Sequence, residues 1–292
     1  MRTIAHISDV HFGTIRDARI VDALVADVNA RAPTLLVLSG DLTQRARASQ
    51  YRAAAEMIAR FDAPKLVVPG NHDVPLYNVV ARFFAPLKNY ARFITTDLRP
   101  TFEDEELTVL GINTARPLTL SINGFWKDGR ISEEQLRDLQ SRLNATPESG
   151  RMKVVVTHHP FIPPPGERVH GIVHNAARAL EVLESCGVDV LLAGHLHMGY
   201  SGDVRAHHEA TRRSILSIQA GTATSGRLRG GEPNAYNWIT LDPDRVAIEV
   251  RAWDGNAFRT TTVTEFRRVD GVWTSQGDEI TNHKSQITKK LQ

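Results

Sequence analysis

Short apolar runs rich in Val, Ile and Leu alternate with segments of helical periodicity through the first two thirds of the chain. The runs are 3–8, 34–39, 65–69, 107–112, 153–157 and 188–193. Their apolar character is continuous rather than alternating, which predicts strands buried on both faces. Helices are predicted between them over 17–31, 47–61, 132–144 and 175–186. The third is opened by Ser132 with Gln135 three residues on, a capping box. Strand and helix in alternation give an α/β fold.

From about Ser214 the pattern changes to Thr, Val, Ile and aromatic runs over 236–241, 246–253 and 258–266, broken by Asp-Pro and Asp-Gly turns. These strands are expected to form a second sheet packed on the first, within one domain over 1–275. Residues 276–292 are polar and aperiodic and are expected to be a tail or a partner-dependent arm. The segment 74–106 carries Tyr77, Phe83, Phe84, Tyr90 and Phe93 at roughly helical spacings. It reads either as a packed excursion with buried aromatics or as a lid or homodimer contact.

At 292 residues with 41% hydrophobic content, the chain can bury a sizeable core. Its 35 basic and 33 acidic side chains leave +2 with no block of like charge, so nucleic acid is not an obligatory partner. The single Cys186 excludes an internal disulfide and reads as a small core residue. Residues 1–10 run straight into a strand, with no apolar stretch long enough for a signal peptide or membrane span. A cytoplasmic protein is expected.

The chemistry-bearing residues fall where the apolar runs end: Asp9-Val10-His11, Gly40-Asp41, Gly70-Asn71-His72-Asp73, Thr157-His158-His159 and Gly194-His195-Leu196-His197. Open α/β sheets place their ligand sites at the carboxyl ends of strands, where the following loops converge. Together these fragments supply enough oxygen and imidazole donors for two metal ions, with Asp41 as the natural bridge. Mixed donors suit Mn, Fe or Zn better than Ca, which takes oxygen alone.

In this order the five fragments resemble the signature of the calcineurin-like metallophosphoesterase superfamily over about 4–198. The intact Gly-Asn-His-Asp and Gly-His-Leu-His forms resemble the branch of class III cyclic nucleotide phosphodiesterases and glycerophosphodiesterases. The resemblance implies a four-layer αββα sandwich of two mixed β-sheets flanked by helices. It implies that Asp9, His11, Asp41 and His197 hold one divalent ion and that Asp41, Asn71, His158 and His195 hold the other. His158 is chosen over His159 because neighbours on an extended chain point opposite ways. By the same resemblance His72 stands beside the leaving group as a proton donor, and Asp73 orients His72 by accepting its other ring proton.

The activity so implied is hydrolysis of a small phosphodiester, cyclic nucleotide or glycerophosphodiester, by a metal-bridging hydroxide. The alternatives are a phosphomonoesterase or nuclease on the same scaffold, or a non-catalytic scaffold, which the full ligand set disfavours. Three further features stay open. The stretch 221–231, with Arg227 and Arg229, either lines the pocket or is a solvated connection. Arg45 contacts phosphate or pairs with an acidic neighbour. Pro163-Pro164-Pro165-Gly166 either walls the entrance or simply connects, and His170, His174, His207 and His208 lack ligand spacing.

Overall fold

The computed structural model describes residues 1–116, 128–145, 150–164, 171–229 and 231–280. In chain order the elements are β1 (Arg2–Ile7), α1 (Arg19–Arg31), β2 (Leu35–Leu38), α2 (Ala48–Ala59), β3 (Lys65–Val67), α3 (Val79–Phe84), α4 (Lys88–Phe93), β4 (Thr101–Glu103) and β5 (Leu107–Gly111). They continue with α5 (Glu133–Ala145), β6 (Met152–Val156), α6 (Ala176–Ser185), β7 (Val190–Ala193), β8 (Tyr200–Asp203), β9 (Leu216–Gln219), β10 (Ala235–Asp242), β11 (Arg245–Trp253), β12 (Phe258–Val269) and β13 (Val272–Ile280).

Two mixed sheets result, of order β13-β12-β11-β10-β1-β2-β3 and β4-β5-β6-β7-β9-β8. Alternate residues of single strands explain the continuous apolar runs. Ile4, Leu35 and Val37 of the first sheet meet Val154, Val156, Val190 and Leu192 of the second in the central core. Ala5, Ile7, Leu36 and Leu38 face outward onto α1 and α2 through Leu24, Val28, Tyr51 and Met57. Val155 and Leu191 face α5 and α6 through Leu139, Leu143, Leu180 and Leu183, in the cluster that also buries Cys186. This is the expected α/β/β/α layering. The Ser132–Gln135 box also forms: Gln135 N–H donates to Ser132 Oγ at 3.2 Å and Ser132 N–H donates to Gln135 Oε1 at 2.9 Å.

Strand partnership differs from expectation. The strands after Ser214 make no sheet of their own. β9 pairs parallel to β7 in the second sheet, whereas β10 pairs antiparallel to β1, Ile4 opposite Ile239, and carries β11 to β13 with it. Periodicity shows that a strand is covered on both faces but not which strand lies beside it. The tail is shorter than expected as well. Asp270 and Gly271 have φ of 51° and 79° and close a two-residue hairpin whose second strand runs to Ile280, so Gln276 lies in β13. Residues 281–292 of the expected tail lie outside the described residues.

The excursion after β3 divides. Tyr90 is buried, stands edge-on to Tyr51 and donates to the Val67 carbonyl at 3.1 Å, which fits the packed reading. Tyr77, Phe83 and Phe84 are exposed, which does not.

Candidate metal centre

Asp9 and His11 follow β1, Asp41 follows β2, and Asn71, His72 and Asp73 form a 3-10 turn after β3; His158 follows β6, and His195 and His197 follow β7. Both sheets send these carboxyl-terminal loops to one edge of the sandwich. The loops are tightly wound. Eight non-glycine residues have positive φ among the described residues, and Asp9, His11, Asp41, His195 and His197 are five of them, at 51° to 75°. Such conformations cost about 1–3 kcal/mol each and persist only where the surroundings over-determine them.

Glycines make the close approach possible. A Cβ on Gly70 would lie 2.2 Å from Asp41 Oδ1, and one on Gly194 would lie 1.7 Å from Ser8 Oγ and 2.6 Å from Asp9 Oδ2. Both positions must therefore lack a side chain.

The seven side chains converge on two adjoining points. On one side, His11 Nε2 lies 3.3 Å from His197 Nε2, 3.4 Å from Asp9 Oδ1 and 3.5 Å from Asp41 Oδ2, and His197 Nε2 lies 3.4 Å from Asp9 Oδ1. On the other, His158 Nε2 lies 3.1 Å from Asn71 Oδ1, 3.3 Å from His195 Nδ1 and 3.4 Å from Asp41 Oδ1. Asp41 thus turns one oxygen to each set.

Asp9 Oδ1 and Asp41 Oδ2 are buried with no hydrogen-bond partner among the described residues. Buried carboxylate oxygens are costly to leave so. Acceptor atoms gathered without protons between them are what a cation would satisfy, and the residues therefore fit a pair of divalent ions.

Outer contacts fix the ligand rings. His158 Nδ1–H donates to the Ser39 carbonyl at 2.8 Å, which turns Nε2 inward, and Nδ1 of His197 bonds Thr222 Oγ1. Asp9 Oδ2 accepts from Ser8 Oγ at 2.6 Å and from the His195 N–H at 2.9 Å, and Asp41 Oδ1 accepts from the His72 N–H at 2.8 Å.

Electrostatics follow. Burial works against ionised Asp9 and Asp41, yet the neighbouring histidines, His197 for the first and His158 for the second, hold both well below the usual carboxylate range. Burial lowers His195, helped by His159 and His158, and takes His197 down to about 4. For His158 the burial penalty is outweighed by the Asp41 carboxylate, and it rises to about 9.

The expected role of Asp73 is not what the geometry gives. Its carboxylate accepts from the N–H groups of Gly70 (3.0 Å), Leu42 (3.1 Å) and Thr43 (2.9 Å) and from Thr43 Oγ1 (3.0 Å), so it ties the β3 turn to the β2–α2 loop. His72 instead donates from Nδ1 to the Gln44 carbonyl at 2.9 Å. In a 3-10 turn the carboxylate at the third position curls back onto its own N-terminus, out of reach of its neighbour's ring.

Arg227, expected either to line the pocket or to lie in a solvated connection, reaches the site. Its Nη1 donates to His72 Nε2 at 3.0 Å and approaches Gln44 Oε1 at 3.4 Å. The loop that carries it is sewn to the loop after β1: Ala223 N–H donates to the Ser8 carbonyl at 3.0 Å, Thr224 Oγ1 to the Val10 carbonyl at 2.9 Å and Gly226 N–H to the Thr14 carbonyl at 3.0 Å. Residues 222–227 therefore lie along the candidate site. Their only signal in the sequence was arginine among hydroxyl and glycine residues.

Arg45 pairs with no acid among the described residues; it lies over the Tyr77 ring, 4.9 Å from the centroid. His159 is buried with Nδ1 2.8 Å from Thr114 Oγ1, and it offers a ring nitrogen within 4.8 Å of those of His158 and His195. His208 is bonded from Nε2 to the Phe161 carbonyl, away from the cluster, and Pro165, Gly166 and His170 lie outside the described residues.

A family model described as calcineurin-like phosphoesterase matches residues 2–199. The chain belongs to this family. A probable cyclic nucleotide phosphodiesterase of a Synechococcus strain is 24% identical, over 83% of this chain and 88% of its own length. A glycerophosphodiester phosphodiesterase of Enterobacter lignolyticus is 26% identical over 66% and 70%, and the 3',5'-cyclic adenosine monophosphate phosphodiesterase of Escherichia coli K12 is 29% identical over 56% and 54%. Among solved structures, a dimetal phosphatase from Danio rerio shares the fold with a TM-score of 0.62 at 16% identity, over 86% of this chain and 96% of that one. As a calcineurin-like phosphoesterase the chain carries its His and Asp groups inside the matched region. Arg227 lies beyond it.

Proposed function

We propose that this calcineurin-like phosphoesterase hydrolyses small phosphodiesters, of cyclic nucleotide or glycerophosphodiester type, at a dinuclear centre of Mn, Fe or Zn. One observation carries the reading: Asp41 presents an oxygen to each of two convergent donor sets in which buried acceptor atoms lack partners. The names of the relatives support the substrate class. Asp9, His11, Asp41 and His197 would hold one ion and Asp41, Asn71, His158 and His195 the other. Ions so held supply positive charge to the phosphate oxygens and the acidity that makes water a nucleophile near neutral pH.

The chain's own part lies on the His72 side. The Nδ1–H bond to Gln44 fixes the ring and points Nε2 at Arg227. In this reading Arg227 turns from Nε2 onto a phosphate oxygen, where a guanidinium can donate two parallel bonds. The released Nε2, protonated from solvent, then delivers that proton to the departing alkoxide. Asp73 keeps Gly70 and the β2–α2 loop in place, so that the His72 N–H stays on Asp41.

Arg227 is also the observation that favours a second reading. A permanent cation at the pocket wall suits a doubly charged monoester better than a singly charged diester, so phosphomonoesterase activity is the alternative.

The test is hydrolysis of bis-p-nitrophenyl phosphate and p-nitrophenyl phosphate by the Mn-reconstituted protein, with a chelator control. Faster metal-dependent cleavage of the diester supports the proposal. Preference for the monoester moves the activity to phosphatase, and no cleavage of either refutes both.

A further inference from the structure

Of the eight exposed large apolar side chains among the described residues, five lie between 77 and 84: Tyr77, Val79, Val80, Phe83 and Phe84, each more than half exposed and Phe84 at 86%. The exposure is built rather than frayed. Asn78 Oδ1 caps α3 by accepting from Ala81 N–H at 2.9 Å, and Arg82, turned inward, donates to the Pro75 carbonyl at 3.0 Å. Contiguous apolar patches of this kind mark interaction surfaces.

Charge around the patch narrows the partner. Residues 43–55 and 74–96 contain Arg45, Arg47, Arg52, Arg82, Lys88 and Arg92 and no Asp or Glu. The two stretches touch: Asn89 donates to the Ala46 carbonyl at 3.0 Å, Arg45 lies over Tyr77, and Arg52 and Arg92 lie 5.8 and 5.1 Å from the Phe93 ring centre. Arg47, Arg52, Lys88 and Arg92 are exposed.

We propose that α3 and its cationic surround are a docking surface for an anionic lipid bilayer. Valine and phenylalanine side chains enter the acyl boundary, while lysine and arginine stems lie along them with their charges at the lipid phosphates. A two-fold contact with a second copy would set these cations against their own images, which like-charge repulsion opposes. A nucleic acid would satisfy the cations but leave Val79, Val80 and Phe84 in water. Because Gln44 holds His72 and Arg45 stacks on Tyr77, docking brings the wall of the candidate site to the headgroup region.

The experiment is co-sedimentation of the metal-loaded full chain with vesicles of phosphatidylcholine alone and of phosphatidylcholine with about a third phosphatidylglycerol. Wild type is expected on the anionic vesicles only, with binding weakened by salt as the screening length shortens. The double variant Phe83→Ser/Phe84→Ser should bind about tenfold more weakly or worse. Lys88→Glu/Arg92→Glu should also detach, and both variants should keep wild-type circular dichroism and soluble-ester hydrolysis.

Equal binding to both vesicle types, or to neither, overturns the proposal. Undiminished binding by the phenylalanine variant overturns insertion in favour of adsorption by charge alone. A wild-type dimer that the phenylalanine variant splits, with no vesicle binding, reassigns the face to a second copy.

Discussion

Replacing Arg227 by alanine tests whether the cation over His72 touches substrate. A hydrogen bond to a charged group contributes about 1.5–3 kcal/mol, and each 1.4 kcal/mol is tenfold. Arg227 is half-buried, so solvent screening takes the expectation to the low end, a loss of about tenfold to thirtyfold. That loss is expected in kcat/KM for p-nitrophenyl phosphate, whose two charges a guanidinium fork serves best, and in the affinity for inorganic phosphate as a competitive inhibitor. The diester should lose about threefold to tenfold, because it offers one charge. Arg227→Lys should recover part of the loss, since lysine restores the charge but not the fork. Metal content by plasma mass spectrometry should not change, because no atom of Arg227 joins either donor set. An unchanged ratio of monoester to diester cleavage refutes substrate contact, and so does metal loss accompanying the drop.

Asp41→Asn removes charge from the group that faces both donor sets. It should abolish bound metal and the Mn-dependent stabilisation, which a hundredfold excess over Kd would set at about 2.7 kcal/mol in urea unfolding; retained stoichiometric metal contradicts the bridging assignment. His72→Ala should keep metal and lose about a hundredfold or more on alkyl diesters, with a smaller loss on nitrophenyl esters whose leaving group needs no proton; equal losses on both would dismiss His72 as acid. Thr222→Val deprives His197 Nδ1 of its partner, and equilibrium dialysis should show metal affinity lower by about tenfold. In the chelated protein, His6 is fully buried and burial takes it down to about 3, from an unfolded value near 6.5. The unfolded chain therefore binds the extra proton between those values, and stability falls as pH drops through that window, by up to about 1.4 kcal/mol per unit from this residue. Urea titrations of wild type and His6→Asn between pH 7 and 5 should show a shallower slope in the variant.

The donor sets were legible because each is encoded locally. Asp-x-His and Gly-His-Leu-His each put two ligands two residues apart at a strand end, and Gly-Asn-His-Asp sets Asn71 beside His72, where the tight turn that exposes them is written in the same residues. The layering was legible for a similar reason: Leu35 and Val37 face one core and Leu36 and Leu38 another, so a run apolar at every position must be covered twice. What escaped depends on distance in sequence. Nothing in 2–7 names 235–242 as its neighbour, and β10 lies beside β1 only because the chain returns there after building the second sheet. Arg227 meets His72 across 155 residues by way of a loop whose hydroxyls look like any solvated connection until Thr222, Thr224 and Ser225 are seen bonded to His197, Val10 and Thr14. Asp73 shows the opposite failure. Adjacency to His72 suggested a partnership, yet the direction of a side chain is set by the turn it sits in, and this turn sends the carboxylate to three backbone N–H groups. The ring so released is held by a backbone carbonyl, Gln44, which no motif can specify, and that carbonyl leaves Nε2 to face the arginine. The contact between His72 and Arg227 is therefore a property of the folded loops rather than of either motif.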